Sequence, residues 1–124
     1  MNVTVLTGQL QGQPHFHWIG RKGHKQAFVA FMLRVRGPVK EGDSVARCVA
    51  YGREAERVFE LLRKKNHTSV WYEVKARWRR REGDDGQHHE EFVIQPYGVH
   101  HVDVIELAEQ VQNRIQTLNE TGEG

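Results

Sequence analysis

The chain has 124 residues, of which 38% are hydrophobic, and this length supports one domain with a buried core that needs no disulfide or metal ion. Its lone cysteine, Cys48, cannot form an internal disulfide, which favours a reduced, cytoplasmic setting over a secreted one. No apolar run approaches the ~18 residues of a transmembrane helix, and the N-terminal residues lack the pattern of a signal peptide. We therefore expect one domain without a membrane partner.

The net charge of +2 conceals a strong division along the chain. Residues 1–81 hold 17 of the 18 Lys and Arg residues against 6 Asp and Glu, whereas residues 82–124 hold one Arg against 10 acidic residues. This asymmetry favours a polyanion as the partner of the basic part. The alternative is a charge-mixed surface on which the order in the sequence has no meaning in space.

The first half of the chain is predicted to contain three strands. Alternating apolar residues indicate a first strand in NVTVLTGQLQG, with a bend at Gly8 and an end at Pro14. A basic turn around Gly23 leads into a second strand over 27–36. A loop rich in glycine and proline then precedes a third strand over 45–52.

The second half begins with a helix, because the apolar residues of REAERVFELLRKKN fall at helical spacing. SVWYEVKARWRRR is predicted to be a fourth strand, EGDDG a hairpin turn, and HEEFVIQPYGVHHVDV a fifth strand interrupted at Pro96 and Gly98. Apolar residues four and three apart in DVIELAEQVQNRIQTLNE indicate a terminal amphipathic helix.

Five strands with one helix between the third and the fourth is the element order of the OB-fold barrel, a mainly β architecture. Other small barrels share much of this order, so it does not decide by itself, but we predict an OB-fold nucleic-acid-binding domain over residues 1–103. Residues 104–124 are predicted to form the amphipathic helix and a frayed end.

Over roughly residues 1–103 the sequence resembles the bacterial single-stranded-DNA-binding protein family. NVTVLTGQLQGQP has the glycine, leucine and proline of that family's opening strand at the same spacing. The tract RCVAYGREAERVFELLRKKNHTSVWYEVKARW resembles its third strand, which ends in an aromatic residue and glycine, then its helix, basic pair and fourth strand. The resemblance implies an OB barrel that binds single-stranded DNA and assembles into dimers or tetramers.

The sequence departs from the family pattern in three places. Arg36 and Gly37 stand where the family usually has a tryptophan after the second strand, and Val45 stands where another often begins the third. The chain ends in the predicted helix and NETGEG, whereas the family commonly ends in a linker and an acidic tip that recruits replication and repair enzymes. We therefore expect a divergent member without the acidic tip.

Alternation along the third strand places Arg47 and Tyr51 on the outer face and the small residues between them in the barrel. Tyr51 occupies the aromatic position of the resemblance and is predicted to stack on a base, although it could instead cap the barrel with its hydroxyl in water. Arg34 and Arg36 are expected beside Arg47.

The arginines of the fourth strand are predicted to contact phosphates, because this charge effect needs only proximity. Two interpretations of Trp78 remain open. Strict alternation predicts a core residue that points inward, whereas its position near the hairpin allows it to stack on a base. The acidic return HEEF is predicted to pair with these arginines when the site is empty. The predicted DNA-binding residues are Arg34, Arg36, Arg47, Tyr51, Arg77, Trp78, Arg79 and Arg81, with Trp18 (a platform or a hydrophobic plug) and Trp71 as possible stacking residues.

The predicted function is non-catalytic binding of single-stranded DNA, with little sequence preference, in replication, recombination or repair. We expect a cytoplasmic, nucleoid-associated homo-oligomer with replication or repair proteins as further partners. The alternative is a primosome-like OB-fold interaction protein that binds DNA or RNA weakly. An enzyme is not expected, because the sequence has no nucleophile motif, no phosphate-binding glycine loop and no ligand spacing that fixes a metal or cofactor site.

Overall fold

The computed structural model describes residues 2–37, 42–64 and 70–102. Their five strands close into a barrel in the order β1-β2-β3-β5-β4, so the predicted mainly β OB fold is confirmed. The predicted terminal helix over 104–124 lies outside the described residues. Within the described part, no helix has the length and apolar character needed to cross a membrane. The elements are β1 Thr4–Ile19, β2 Gln26–Val35, β3 Ser44–Tyr51, α1 Arg53–Lys64, β4 Trp71–Glu82 and β5 His88–Val102.

Alternating residues of the strands fill the barrel, as their period of two requires. Helix α1 covers one part of this core with apolar residues three and four positions apart. Each buried aliphatic or aromatic side chain contributes about 1.5–3 kcal/mol through the removal of apolar surface from water. The buried residues include Val29, Phe31 and Leu33 of β2, Tyr72, Val74 and Ala76 of β4, and Ala55, Val58 and Leu62 of α1.

The first strand does not end at Pro14 as predicted, because β1 continues to Ile19. The register of β1 against β2 shifts between Gln11 and His15, and this bulge contains the proline. A residue in a bulge need not donate to the strand ladder, so the missing N–H of proline is tolerated there. Gly12 has a φ of 74°, a left-handed conformation that suits glycine. The residues expected after the strand, namely Phe16, His17 and Trp18, are therefore part of it.

The predicted interruption of the fifth strand is a bulge within a continuous β5. The register against β4 shifts across residues 95–98, and Tyr97 has a φ of 56°. The backbone N–H of Tyr97 donates to Oε1 of Glu54 at 2.9 Å, and the guanidinium carbon of Arg57 lies 3.6 Å from the centre of the tyrosine ring. The bulge therefore connects β5 to helix α1.

The barrel closes where β3 runs parallel to β5, a contact that we term the β3–β5 seam. Cys48 is paired with Phe92 and Val49 with Val93 at this seam. The other neighbouring strands are antiparallel. The seam brings the C-terminal end of β3 close to the hairpin formed by β4 and β5.

Candidate nucleic-acid interface

Three aromatic side chains lie directly opposite one another across β1, β2 and β3. His17 is paired with Phe28, and Phe28 is paired with Tyr51. Their ring centres are 5.0 Å and 5.3 Å apart, respectively, and the rings are tilted relative to each other. His17 is exposed and the other two rings are half-buried. We term this row on the outer surface of the barrel the aromatic ladder.

Three arginines surround one carboxylate at the Tyr51 end of the ladder. Nε of Arg79 donates to Oε1 of Glu91 at 2.6 Å, and Nη2 of Arg79 donates to the hydroxyl of Tyr51 at 2.5 Å. Nε of Arg47 and Nε of Arg81 each lie 3.6 Å from the other carboxylate oxygen, Oε2. We term Arg47, Arg79 and Arg81 the arginine cluster.

Glu91 is only 2% exposed although it lies on the outer face of its strand. A buried carboxylate is costly unless it is paired and hydrogen-bonded, and the arginine cluster provides this pairing. Burial acts to lower the pKa of Arg79, but its hydrogen bonds to Glu91 and Tyr51 raise this pKa above the usual value overall. Arg79 therefore stays charged, and Glu91 pairs with the arginines as the hypothesis for HEEF predicted.

The remaining predicted residues of β4 lie on two different faces. Arg77 is exposed on the same outer face as Arg79. Trp78 lies opposite Phe92 on the barrel-facing side and is half-buried. The guanidinium carbon of Arg80 is 6.0 Å from the tryptophan ring centre. The structure thus separates Trp78 from the face that carries the arginine cluster.

Arg34 and Arg36 lie with Trp71 in a second group. Nη2 of Arg34 donates to Oε1 of Gln9 at 3.0 Å, and the guanidinium carbon of Arg36 lies 5.5 Å from the Trp71 ring centre. Gln9 is the strand partner of both Arg34 and Trp71. The outer face of β2 connects this group to the aromatic ladder, because alternate residues from Phe28 to Arg34 share that face.

Trp18 is placed on the opposite face of β1 from His17. Its ring is 54% exposed and contacts the ring of Phe16 edge-on, with 5.8 Å between the ring centres. Phe16 in turn packs on Phe59 of α1 at 4.9 Å. Trp18 is therefore not part of the ladder.

Sequence reasoning missed Phe28 as a site residue and did not foresee that Glu91 is buried. Alternation could have found Phe28, because it has the opposite phase from the core residues Val29 and Phe31. Burial of Glu91 depends on arginines from β3 and β4, so no local pattern indicates it. Among the described residues, no three His, Cys, Asp or Glu side chains are grouped closely enough to hold a metal ion.

No family model matches the chain, and no curated protein matches it in sequence. Solved structures match its fold. One is a deletion variant of the single-stranded DNA binding protein from Thermus aquaticus, with a TM-score of 0.61 and 16% identity over 83% of this chain. Another is the SSB domain of a protein from Synechococcus sp., with a TM-score of 0.59 and 14% identity over 82% of this chain.

The chain spans 42% of the Thermus aquaticus protein and 96% of the Synechococcus domain. At these identities the likeness concerns the fold. The chain therefore has an OB fold like that of single-stranded DNA-binding proteins, and its sequence is divergent from them. This confirms at the level of the fold the resemblance found in the sequence.

Proposed function

We propose that this chain binds single-stranded DNA without catalysing a reaction. Bases stack on the aromatic ladder, and phosphates are held by the arginine cluster. The observation that carries the proposal is the direct contact between the arginine cluster and the aromatic ladder. Arg79 of the cluster donates a hydrogen bond to the hydroxyl of Tyr51, the last residue of the ladder. Single-stranded DNA whose bases stack on the aromatic ladder therefore also has its phosphates close to the arginine cluster.

The energies of the two features support little sequence preference. Stacking of a base on an aromatic side chain contributes about 1–3 kcal/mol and is available to every base, since each has a flat face. Contacts between arginine and phosphate carry no sequence information and weaken as salt increases. The proteins with similar folds are named for binding single-stranded DNA, which agrees with this mode.

The proposal is tested by the fluorescence anisotropy of a labelled oligo(dT), at low and high salt, with duplex DNA and oligo(U) as competitors. A label on the DNA is needed because the ladder contains no tryptophan. We expect tighter binding to oligo(dT) than to duplex, and competition by oligo(U) compared with oligo(dU), which carries the same base, shows whether the sugar is distinguished. Tyr51→Ala should weaken binding by about 1–3 kcal/mol, whereas Tyr51→Phe should retain most of the affinity because the ring remains.

The matched control is Tyr97→Ala, which removes a tyrosine that is 66% exposed and lies outside the ladder. If Tyr51→Ala and Tyr97→Ala bind oligo(dT) equally well, the ladder is not the stacking surface. If the wild-type chain shows no preference over duplex, strand binding fails as the function. That result would favour the primosome-like interaction protein.

We further propose that the chain self-associates and acts in DNA replication, recombination or repair. Self-association is supported by apolar surface on the outer side of the barrel, where Val5 is 54% exposed opposite Lys75 and Trp71 is half-buried. Sedimentation equilibrium at micromolar concentration should give a mass of two or four chains. A monomer at all concentrations would contradict self-association and leave the strand-binding proposal in place.

A further inference from the structure

The bulge in β1 opens a cleft on the face of the barrel that carries the aromatic ladder. The cleft has a volume of about 140 Å³, and its lining includes Gln11, Gly12, Gln13, His15, Met32 and Arg47. We term it the bulge cleft. It is small beside the pockets of about 300–1,000 Å³ that hold drug-sized ligands, so it suits one planar ring system.

Strand register places the bulge cleft next to the ladder. His15 lies two residues from His17 in β1, and Arg47 lies four residues from Tyr51 in β3. Residues two apart on a strand share a face and are separated by about 7 Å, so these side chains continue the ladder's own surface. Single-stranded DNA whose bases stack on the aromatic ladder therefore places a neighbouring base at the bulge cleft.

Arg47 contributes its guanidinium group to the lining of the cleft. Its side chain is 34% exposed, although its Nε is buried and lies 3.6 Å from Oε2 of Glu91. The guanidinium has five donors and no acceptor, whereas the amide of Gln11 can donate and accept.

We infer that the bulge cleft receives one base of the bound strand and favours guanine. This inference rests on the proposed function, because the ladder must deliver the base. An arginine needs two adjacent acceptors for a bidentate contact, and guanine presents N7 and O6 on one edge. On the same edge adenine has a donor beside N7, thymine has one acceptor, and cytosine has a donor.

The experiment compares short oligo(dT) strands that carry a single central dG, dA, dC or 7-deaza-dG. We expect the dG strand to bind about tenfold more tightly than oligo(dT), as one bidentate contact provides. The 7-deaza-dG strand lacks the N7 acceptor and should lose most of this gain. Arg47→Met should bring the ratio of the dG and dT affinities close to one, because it removes the guanidinium that makes the bidentate contact and keeps a side chain that still fills the lining of the cleft.

The control variant is Arg63→Met, the same substitution at a 63% exposed arginine of α1 that does not line the cleft, which should keep the wild-type ratio. Binding to oligo(dT) with equal affinity for all central bases would overturn the inference and leave the proposed function standing. A preference for dA or dC would also overturn it. Failure of the folded chain to bind any oligonucleotide would overturn both.

Discussion

Glu91 determines the arrangement of the arginine cluster, although an acidic residue is unfavourable for binding a polyanion. Its carboxylate lies beneath the guanidinium groups of β3 and β4, whose side chains are 34–49% exposed. It reduces the repulsion between these like charges while leaving their outer sides accessible. Through Arg79 it also connects to the hydroxyl of Tyr51. One buried carboxylate thus orients both the cations and the last ring of the ladder.

Glu91→Gln should reduce the free energy of unfolding by about 1–3 kcal/mol, because three partly exposed arginines lose their common counter-charge. Glu90→Gln is the matched control, since Glu90 is exposed on the other face of β5, opposite Arg80. It should change the unfolding free energy by less than about 0.5 kcal/mol. Urea unfolding followed by circular dichroism measures both, and equal effects would contradict the central role of Glu91.

The face on which a side chain lies is predictable where it depends on that residue's own strand alone. Alternation placed Arg47 and Tyr51 outward on β3, and the register of β3 with its neighbours agrees. It could not predict that His17, Phe28 and Tyr51 form one row, because this depends on how three strands are aligned with one another. A shift of one residue in either pairing would turn a ring to the other face.

The strands and the helix within the described residues were predictable in type and order, but their irregularities were not. Pro14 is typical of a strand end, and only the pairing of β1 with β2 shows that a bulge accommodates it. The bulge at residues 95–98 of β5 likewise depends on contacts with α1 through Tyr97 and Glu54. Both bulges depend on contacts with residues that are distant in the sequence. The spacing of hydrophobic residues within one strand carries no information about such contacts.

Gly8 marks a close approach between two elements. A Cβ atom at this position would lie within van der Waals overlap of the carbonyl oxygen of Arg34 on β2, at 2.3 Å. Gly8→Ala should therefore destabilise the chain by about 1–3 kcal/mol or more. Gly12→Ala is the control, because a Cβ there meets no atom within 4 Å and only its φ of 74° adds strain, of about 1–2 kcal/mol. If urea unfolding shows a smaller loss for Gly8→Ala than for Gly12→Ala, the β1–β2 packing is not as tight as described.

The β4–β5 hairpin is the element expected to respond most to salt. If Arg81 contacts one phosphate, Arg81→Gln should reduce the slope of log affinity against log salt concentration by about 0.7. Arg63→Gln on α1 is the matched control, since its side chain is 63% exposed and it lies outside the arginine cluster. The slopes come from oligo(dT) titrations at several salt concentrations. An unchanged slope for Arg81→Gln would exclude this phosphate contact.

At the scale of the whole molecule, Cys48 reports on the opening of the barrel. It is fully buried, and burial raises the pKa of its thiol from 9.0 to about 12. At pH 8 it should react with a thiol reagent far more slowly in the folded chain than in urea, because the buried thiol is shielded from the reagent and is held in its protonated form. The unfolded chain releases this proton first, so the free energy of unfolding should fall as the pH rises from 9 to 12.

The rate of this reaction also shows how the thiol becomes accessible. A rate that follows the free energy of global unfolding across the variants above is the expected outcome. Fast labelling of the otherwise folded chain would contradict it. That result would mean that the barrel opens locally near Cys48.

The β3–β5 seam lies between Tyr51 on one strand and Arg79 with Glu91 on the hairpin that faces it. An oligonucleotide that stacks on Tyr51 and contacts Arg79 would span the β3–β5 seam. While bound, it would hold β3 and the β4–β5 hairpin together. Opening of the β3–β5 seam would then require release of the oligonucleotide. The barrel could therefore not open locally at the seam while the oligonucleotide is bound. Slower hydrogen exchange at the seam amides would accompany binding even if no atom of the backbone changed its mean position.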